Sequence, residues 1–376
     1  MTQDMTGILR REEQITLYLR GLYERYGYRK YRMGKFEDYD LYLENKNFLK
    51  SPNIITFHDL DGHVRALKPD VTLSIAKNTH ATAESSEKFY YLENVYRLDK
   101  PSGGYREISQ LGLECIGSLG LVATYEVLCL AQKTLAAISE SHRMQLSHMG
   151  FLVSLLDGLG IENSARAGLL ESIRGKNRHE LKARAESAGI TPAAASLLLT
   201  AADLCGEFKE TIARARTVAI TQAMTDALDQ LDSVYSLLET AGQAADLILD
   251  FSLVNDIDYY DGIVFQGYVE GVPRALLAGG CYGNLLKKFG RELDAIGFAV
   301  YLGELNLLFR SQKKTDVDAL ILYSDDADAA ALIKAADVLT AAGARVRLEK
   351  SIPNDLRYST LYRFENGALQ EVPKNA

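Results

Sequence analysis

Residues 88–117 read KFYYLENVYRLDKPSGGYREISQLGLECIG. Residues 253–268 read LVNDIDYYDGIVFQGY, followed by LLAGGCYGNLLKKFG (276–290) and LDAIGFAVYLGEL (293–305). In the first block two runs of β-forming residues, 89–98 and 108–117, are separated by Ser102-Gly103-Gly104. A connection that short folds the chain back antiparallel, because a parallel neighbour needs a crossover of a dozen or more residues. Along 108–117, period-two alternation puts Gln110, Gly112 and Glu114 on one face and Leu111, Leu113 and Cys115 on the other. The apolar face is core. The polar face offers an amide and a carboxylate with glycine's open space between them, a floor suited to a small ligand carrying an ammonium group or an imidazole N–H.

Outward from this hairpin, residues 10–26 carry Ile15, Leu17, Leu19, Leu22, Tyr23 and Tyr26 near helical spacing, which predicts an amphipathic helix ended by Gly27. Short strands are expected at 53–57 and 64–68, joined through Asp61-Gly62. Lys68, Asp70 and Thr72 share a face if that strand runs on through Pro69, a residue that suits only an edge or an end. Between 119 and 250 the texture turns to Ala, Leu and Glu at helical spacing, broken near 158–160, 189–192 and 242. Strands are expected again at 263–269 and 274–277, with Tyr259 and Tyr260 supplying hydroxyls beside the first, and 297–309 reads as helical. After Gln312-Lys313-Lys314, the runs 317–323, 327–342 and 344–348 predict one β-α-β unit.

Composition narrows the function. At 376 residues the chain suits one large domain and a small one, and a net charge of -8 gives no general attraction to a polyanion. The densest basic run, Arg29, Lys30, Arg32 and Lys35, is followed at once by Glu37, Asp38 and Asp40 and reads as solvated surface or a subunit contact. Nucleic-acid binding is not expected. Cys115, Cys129, Cys205 and Cys281 lie far apart, which argues against a zinc site or disulfide framework and fits a reducing cytoplasm. The apolar stretch 119–138 is interrupted by Glu126, Gln132 and Lys133, so no membrane association is expected.

These blocks, taken in order, resemble the histidyl-tRNA synthetase family. The resemblance implies an α+β fold: a class II aminoacyl-tRNA synthetase-like antiparallel sheet flanked by helices over 1–310, with a helical insertion at about 151–250. A small truncated α/β domain like the anticodon-binding one would occupy 311–376. ITFHDLDGHVRALKPDVTL (55–73) is similar to the family's Arg-Pro-Glu-Gly-Thr block and implies that Asp70 and Thr72 hold an amino group. YRLDKP (96–101) implies Arg97 at a carboxylate or α-phosphate, and YREISQLGLE (105–114) implies Arg106 toward a nucleotide, with Gln110 and Glu114 in a histidine pocket. DIDYYDGIVF (256–265) adds Tyr259 and Tyr260, and AGGCYGN (278–284) resembles the loop bordering that pocket.

The departures carry as much weight. Where the family's enzymes have Leu-Val-Arg, this chain has Leu253, Val254 and Asn255; where they end a motif in Leu-Glu-Arg-Leu, it has Leu302, Gly303, Glu304 and Leu305. Adenylyl transfer needs fixed cations against charge building on the phosphates. Cys281 and Gly283 likewise replace an arginine and an aspartate. A histidine pocket without those cations resembles the regulatory subunits of ATP phosphoribosyltransferase, a histidyl-tRNA synthetase-like family. The implied partners are the short-form catalytic ATP phosphoribosyltransferase subunit, histidine as effector, and a second copy of the chain within a hetero-oligomer. No cofactor or metal is implied. An active or degenerate histidyl-tRNA synthetase is the alternative, and the effector's place, inherited pocket or subunit interface, stays open.

Overall fold

The computed structural model describes residues 9–46, 49, 53–99, 103–254, 259–309 and 315–373, and the chain divides into two compact units, 1–308 and 309–376. The first opens with α1 (Arg11–Arg25), β1 (Arg29–Lys30), β2 (Phe36–Asp38), α2 (Tyr39–Glu44), β3 (Thr56–His58), β4 (Val64–Leu67) and α3 (Thr72–Asn78). The long hairpin of β5 (Glu87–Asp99) and β6 (Gly104–Gly117) follows, then α4 (Leu121–Ile138) and β7 (His142–His148). Next come α5 (Met149–Gly158), α6 (Asn163–Arg174), α7 (Arg178–Ser187), α8 (Pro192–Ala202), β8 (Cys205–Glu207), α9 (Phe208–Thr217) and α10 (Gln222–Thr240). β9 (Leu247–Asp250), β10 (Ile263–Val269), β11 (Leu277–Cys281), α11 (Gly283–Lys288), β12 (Asp294–Tyr301) and α12 (Leu302–Phe309) lead to the second unit.

Nine strands form one sheet in the order β1-β5-β6-β12-β11-β10-β7-β9-β8. It is antiparallel except where β1 meets β5 and β7 meets β9. Both parallel pairs are joined by long connections, the second through all of α5 to α10, as parallel geometry requires. A separate small sheet, β2-β4-β3, precedes α3. One face of the large sheet is covered by α1 and α4. α1 buries Ile15, Leu19, Leu22 and Tyr23; the Tyr23 hydroxyl bonds Thr134 Oγ1 of α4 at 2.9 Å, and its ring meets Phe298 of β12 edge-on, centroids 6.0 Å apart. By length and composition alone α4 would cross a membrane, yet Val127, Leu128, Leu130, Ala131 and Leu135 are fully buried within the protein, so its apolarity is that of a core helix.

Two local expectations are corrected. The segment 297–309 is not wholly helical: β12 runs to Tyr301 before α12 starts. β12 is nearly buried on both faces, so its sequence lacks the alternation that marks a strand. Likewise the second strand lies at Leu277–Cys281 and not at 274–277, with Gly279 and Gly280 inside it. Glycines in a central strand mark close approach of other groups.

In the second unit β13 (Val317–Leu322), α13 (Ala329–Ala341) and β14 (Val346–Glu349) form the expected parallel β-α-β, and the Asp328 side chain caps α13 by accepting from Ala330 N and Ala331 N. β15 (Tyr358–Glu365) and β16 (Ala368–Val372), which the sequence reading lacked, extend its sheet.

Candidate functional site

Register builds the site. Directly opposed residues of antiparallel strands share a face. On the face away from α1 and α4, one row runs Glu114, Gly297, Gly280 across β6, β12 and β11. The next runs Tyr91, Gly112, Ala299, Ala278 across β5, β6, β12 and β11, and a third pairs Gln110 with Tyr301. Glycine and alanine in the middle of three adjacent strands hollow out the sheet. Larger side chains lie across the gap: a Cβ on Gly112 would come within 2.0 Å of Tyr91 Cζ, one on Gly280 within 2.6 Å of Tyr260 Cδ1, and one on Gly297 within 1.8 Å of Glu114 Oε2.

The result is a small, tightly lined cavity. Asp70, Thr72 and Arg97 line it on one side, Gln110 and Glu114 rise from its floor, and Tyr259 and Tyr260 close another wall. Tyr91, Tyr282 and Tyr301 also line it. Sequence reasoning passed over these three. Tyr282 stands inside the quoted AGGCYGN run and Tyr91 inside the first strand, but Tyr301 fell in a segment read as helix.

Asp70 and Thr72 do not continue a strand. β4 ends at Leu67, Pro69 follows, and Thr72 opens α3, because proline lacks the amide that would extend the ladder. Asp70 Oδ1 accepts from Leu73 N at 3.0 Å, holding the first turn of α3, and its Oδ2 lies 3.2 Å from Arg97 Nη2. Arg97 Nε donates to Pro69 O at 2.7 Å, so the guanidinium is clamped at the wall with opposite charges side by side. Both residues are buried.

Glu114 is only 2% exposed. Thr72 Oγ1 donates to its Oε1 at 2.7 Å and Tyr282 OH to its Oε2 at 2.6 Å. Burial pushes the Glu114 carboxyl up to about 8, with hydroxyl donation from Tyr282 and Thr72 opposing the shift and the charge of Asp70 adding to it. Burial, reinforced by Glu114, also holds the Tyr282 hydroxyl well above the usual tyrosine range, so it stays a neutral donor.

The residues assigned to a nucleotide lie elsewhere. Arg106 opposes Arg97 on the same face, but it is exposed beyond the cavity, 3.7 Å from Asp99. Glu304, in the first turn of α12, is also outside the cavity; its Oε1 is 3.7 Å from Arg274 Nη1. The Arg274 guanidinium beside this position therefore already faces a carboxylate. Asn255 lies outside the described residues.

α3 is tied down at its far end by Arg291, which donates from Nη1 to Ala76 O (3.3 Å) and Thr79 O and from Nη2 to Lys77 O (3.1 Å). These carbonyls end the helix whose start carries Thr72. Arg291→Ala is expected to lower the urea midpoint by the equivalent of about 1–3 kcal/mol, the cost of stripping partners from helix-terminal carbonyls. An unchanged midpoint would show that water replaces the guanidinium.

A family model described as histidyl-tRNA synthetase matches residues 8–305. The chain is similar to the ATP phosphoribosyltransferase regulatory subunit of Thermoanaerobacter sp. (strain X514), 30% identical over 316 residues that cover 82% of this chain and 82% of that protein. It is similar to the solved structure of an ATP phosphoribosyltransferase regulatory subunit/histidyl-tRNA synthetase from Bacillus halodurans C, with TM-score 0.75, 23% identity and coverage of 94% of this chain and 93% of that one. It is also similar to a chain of the ATP phosphoribosyl transferase (HisG:HisZ) complex from Thermotoga maritima, with TM-score 0.61, 18% identity and coverage of 78% and 97%. At these identities the two solved structures speak for the fold alone.

Proposed function

We infer that this chain, which belongs to the histidyl-tRNA synthetase family and within it to the ATP phosphoribosyltransferase regulatory subunits, serves histidine biosynthesis as a regulator and does not activate amino acids. The charge layout supports the reading: a small buried cavity with both signs at one wall, and a carboxylate, Glu304, at the position that the resemblance gives to a cation for ATP. Its proposed partner is the short-form catalytic ATP phosphoribosyltransferase subunit, in the cytoplasm, within a hetero-oligomer that contains a dimer of this chain. The relative from Thermoanaerobacter supports the role by its name.

The proposed effector is histidine, held in the cavity. Its carboxylate would meet Arg97 and its ammonium group Asp70, inserting at the existing ion pair, while the imidazole would reach Glu114, with Gln110, Tyr259 and Tyr260 as neutral partners. An effector bound here changes the partner's activity only by binding one conformation of the complex more tightly than another. The test mixes the chain with the short catalytic subunit and measures phosphoribosyl transfer with and without histidine. Histidine inhibition that appears only when this chain is present is the expected result. Equal activity and equal inhibition without the chain would refute the role.

A further inference from the structure

Glu114 is the one carboxylate of this cavity without a cation beside it among the described residues. The groups facing it are Asp70 and Thr72 at the start of α3, Tyr91 of β5, Tyr259 and Tyr260 before β10, and Tyr282 after β11. None of these is basic. Arg97, the cavity's guanidinium, is engaged by Pro69 O and Asp70. Gly297 leaves the space that Glu114 Oε2 fills, which seats the carboxyl on the floor of the sheet. A buried carboxylate with hydroxyl donors but no counter-ion lacks a positive charge, and a basic ligand atom would supply it.

Resting on the reading that the cavity takes histidine, we propose that Glu114 and the ligand's imidazole bind as a pair holding a single proton between them. A neutral carboxyl meeting a neutral imidazole and a carboxylate meeting an imidazolium are the same complex, related by moving one proton along the hydrogen bond; nothing else is consumed. The pair selects a weakly basic heterocycle over a ring of equal shape without a basic nitrogen.

The proton count sets a pH profile. The empty site's carboxyl is pushed up to about 8, while a histidine imidazole titrates near about 6.5. Between those values the separated partners already bring one proton in total, so binding exchanges none. Below about 6.5 they bring two and one must leave; above about 8 they bring none and one must be taken up. Affinity therefore falls about tenfold per pH unit on each side of a plateau.

Calorimetric titration of L-histidine into the full chain, from about pH 5.5 to about pH 9.5 in buffers of different ionisation heat, reads both affinity and protons exchanged. β-(2-Thienyl)-L-alanine is the control; it shares the α-amino and α-carboxyl titrations and lacks the base, so it should bind about 100-fold or more weaker and show no acid limb. Glu114→Gln should weaken histidine binding and remove the alkaline limb, because the amide does not titrate, while the acid limb set by the ligand's own imidazole stays. The variant should still fold: Glu114's folded pKa lies above its unfolded value of 4.5, so its contribution to stability declines as pH rises from about 4.5 through about 8, and Gln removes that loss. A melting temperature at about pH 9 at least equal to that of the parent is expected. Histidine binding with an affinity flat across the range, or a Glu114→Gln profile matching the parent, overturns the shared proton. Failure of histidine to bind at any pH instead overturns the effector reading beneath it.

Discussion

Histidine-dependent exchange of pyrophosphate into ATP by the purified chain is expected to stay at least about 10⁴-fold below that of a working synthetase. Each fixed donor against developing phosphate charge is worth about 10²- to 10³-fold, and the resemblance to the synthetases matches two such positions to Asn255 and Glu304. On that correspondence Glu304 goes further than a missing donor, because it would set a negative charge against the nucleotide's own. The structure tests whether another cation compensates. Arg274 approaches this point, but its guanidinium faces Glu304 at 3.7 Å and its side chain is 63% exposed. An exposed cation already shared with a carboxylate offers little to a phosphate. Exchange at a synthetase-like rate would mean that a guanidinium is recruited when ATP binds, and the regulatory reading would lose its physical basis.

Gly297→Ala should all but eliminate histidine binding and cost about 3 kcal/mol or more in stability. The added methyl would fall 1.8 Å from Glu114 Oε2 and 2.4 Å from Leu113 O. A side-chain clash alone could relax by rotation. The Leu113 carbonyl cannot, because it belongs to the β6 backbone that pairs with β12 at this register, so relief requires the two strands to part. Gly303→Ala provides the contrast: nothing lies within 4 Å of its Cβ position, it sits in α12, and alanine there should be neutral or stabilising by up to about 1 kcal/mol. Urea midpoints and histidine titrations on the two variants separate a full floor from a general intolerance of substitution. A Gly297→Ala protein with parental midpoint and affinity would disprove the hollowed-sheet account.

Much of this molecule is legible before any coordinates. Period-two alternation placed Gln110, Gly112 and Glu114 on one face, the Ser102-Gly103-Gly104 turn implied the β5–β6 hairpin, and the strand 263–269 agrees with β10 residue for residue. That Asn255 and Glu304 differ from the arginines the resemblance implies is read by identity alone, since a charge is a property of the residue and needs no neighbour to be read. Alternation, however, reports which face a residue takes and is silent on what stands opposite. That Gly297 and Gly280 continue the row of Glu114, or that Ala299 and Ala278 continue that of Gly112, follows only from register between strands more than a hundred residues apart. Strands buried on both faces, such as β12, lose even the alternation, which hid Tyr301. The chain's chemistry, its acids, its tyrosines and its residues at 255 and 304, was thus determined by the sequence. The tertiary structure decided which of them share one cavity, that Asp70 is already bound to Arg97, and that Glu114 has no counter-ion among the described residues, because burial and pairing are set by contacts between segments far apart along the chain.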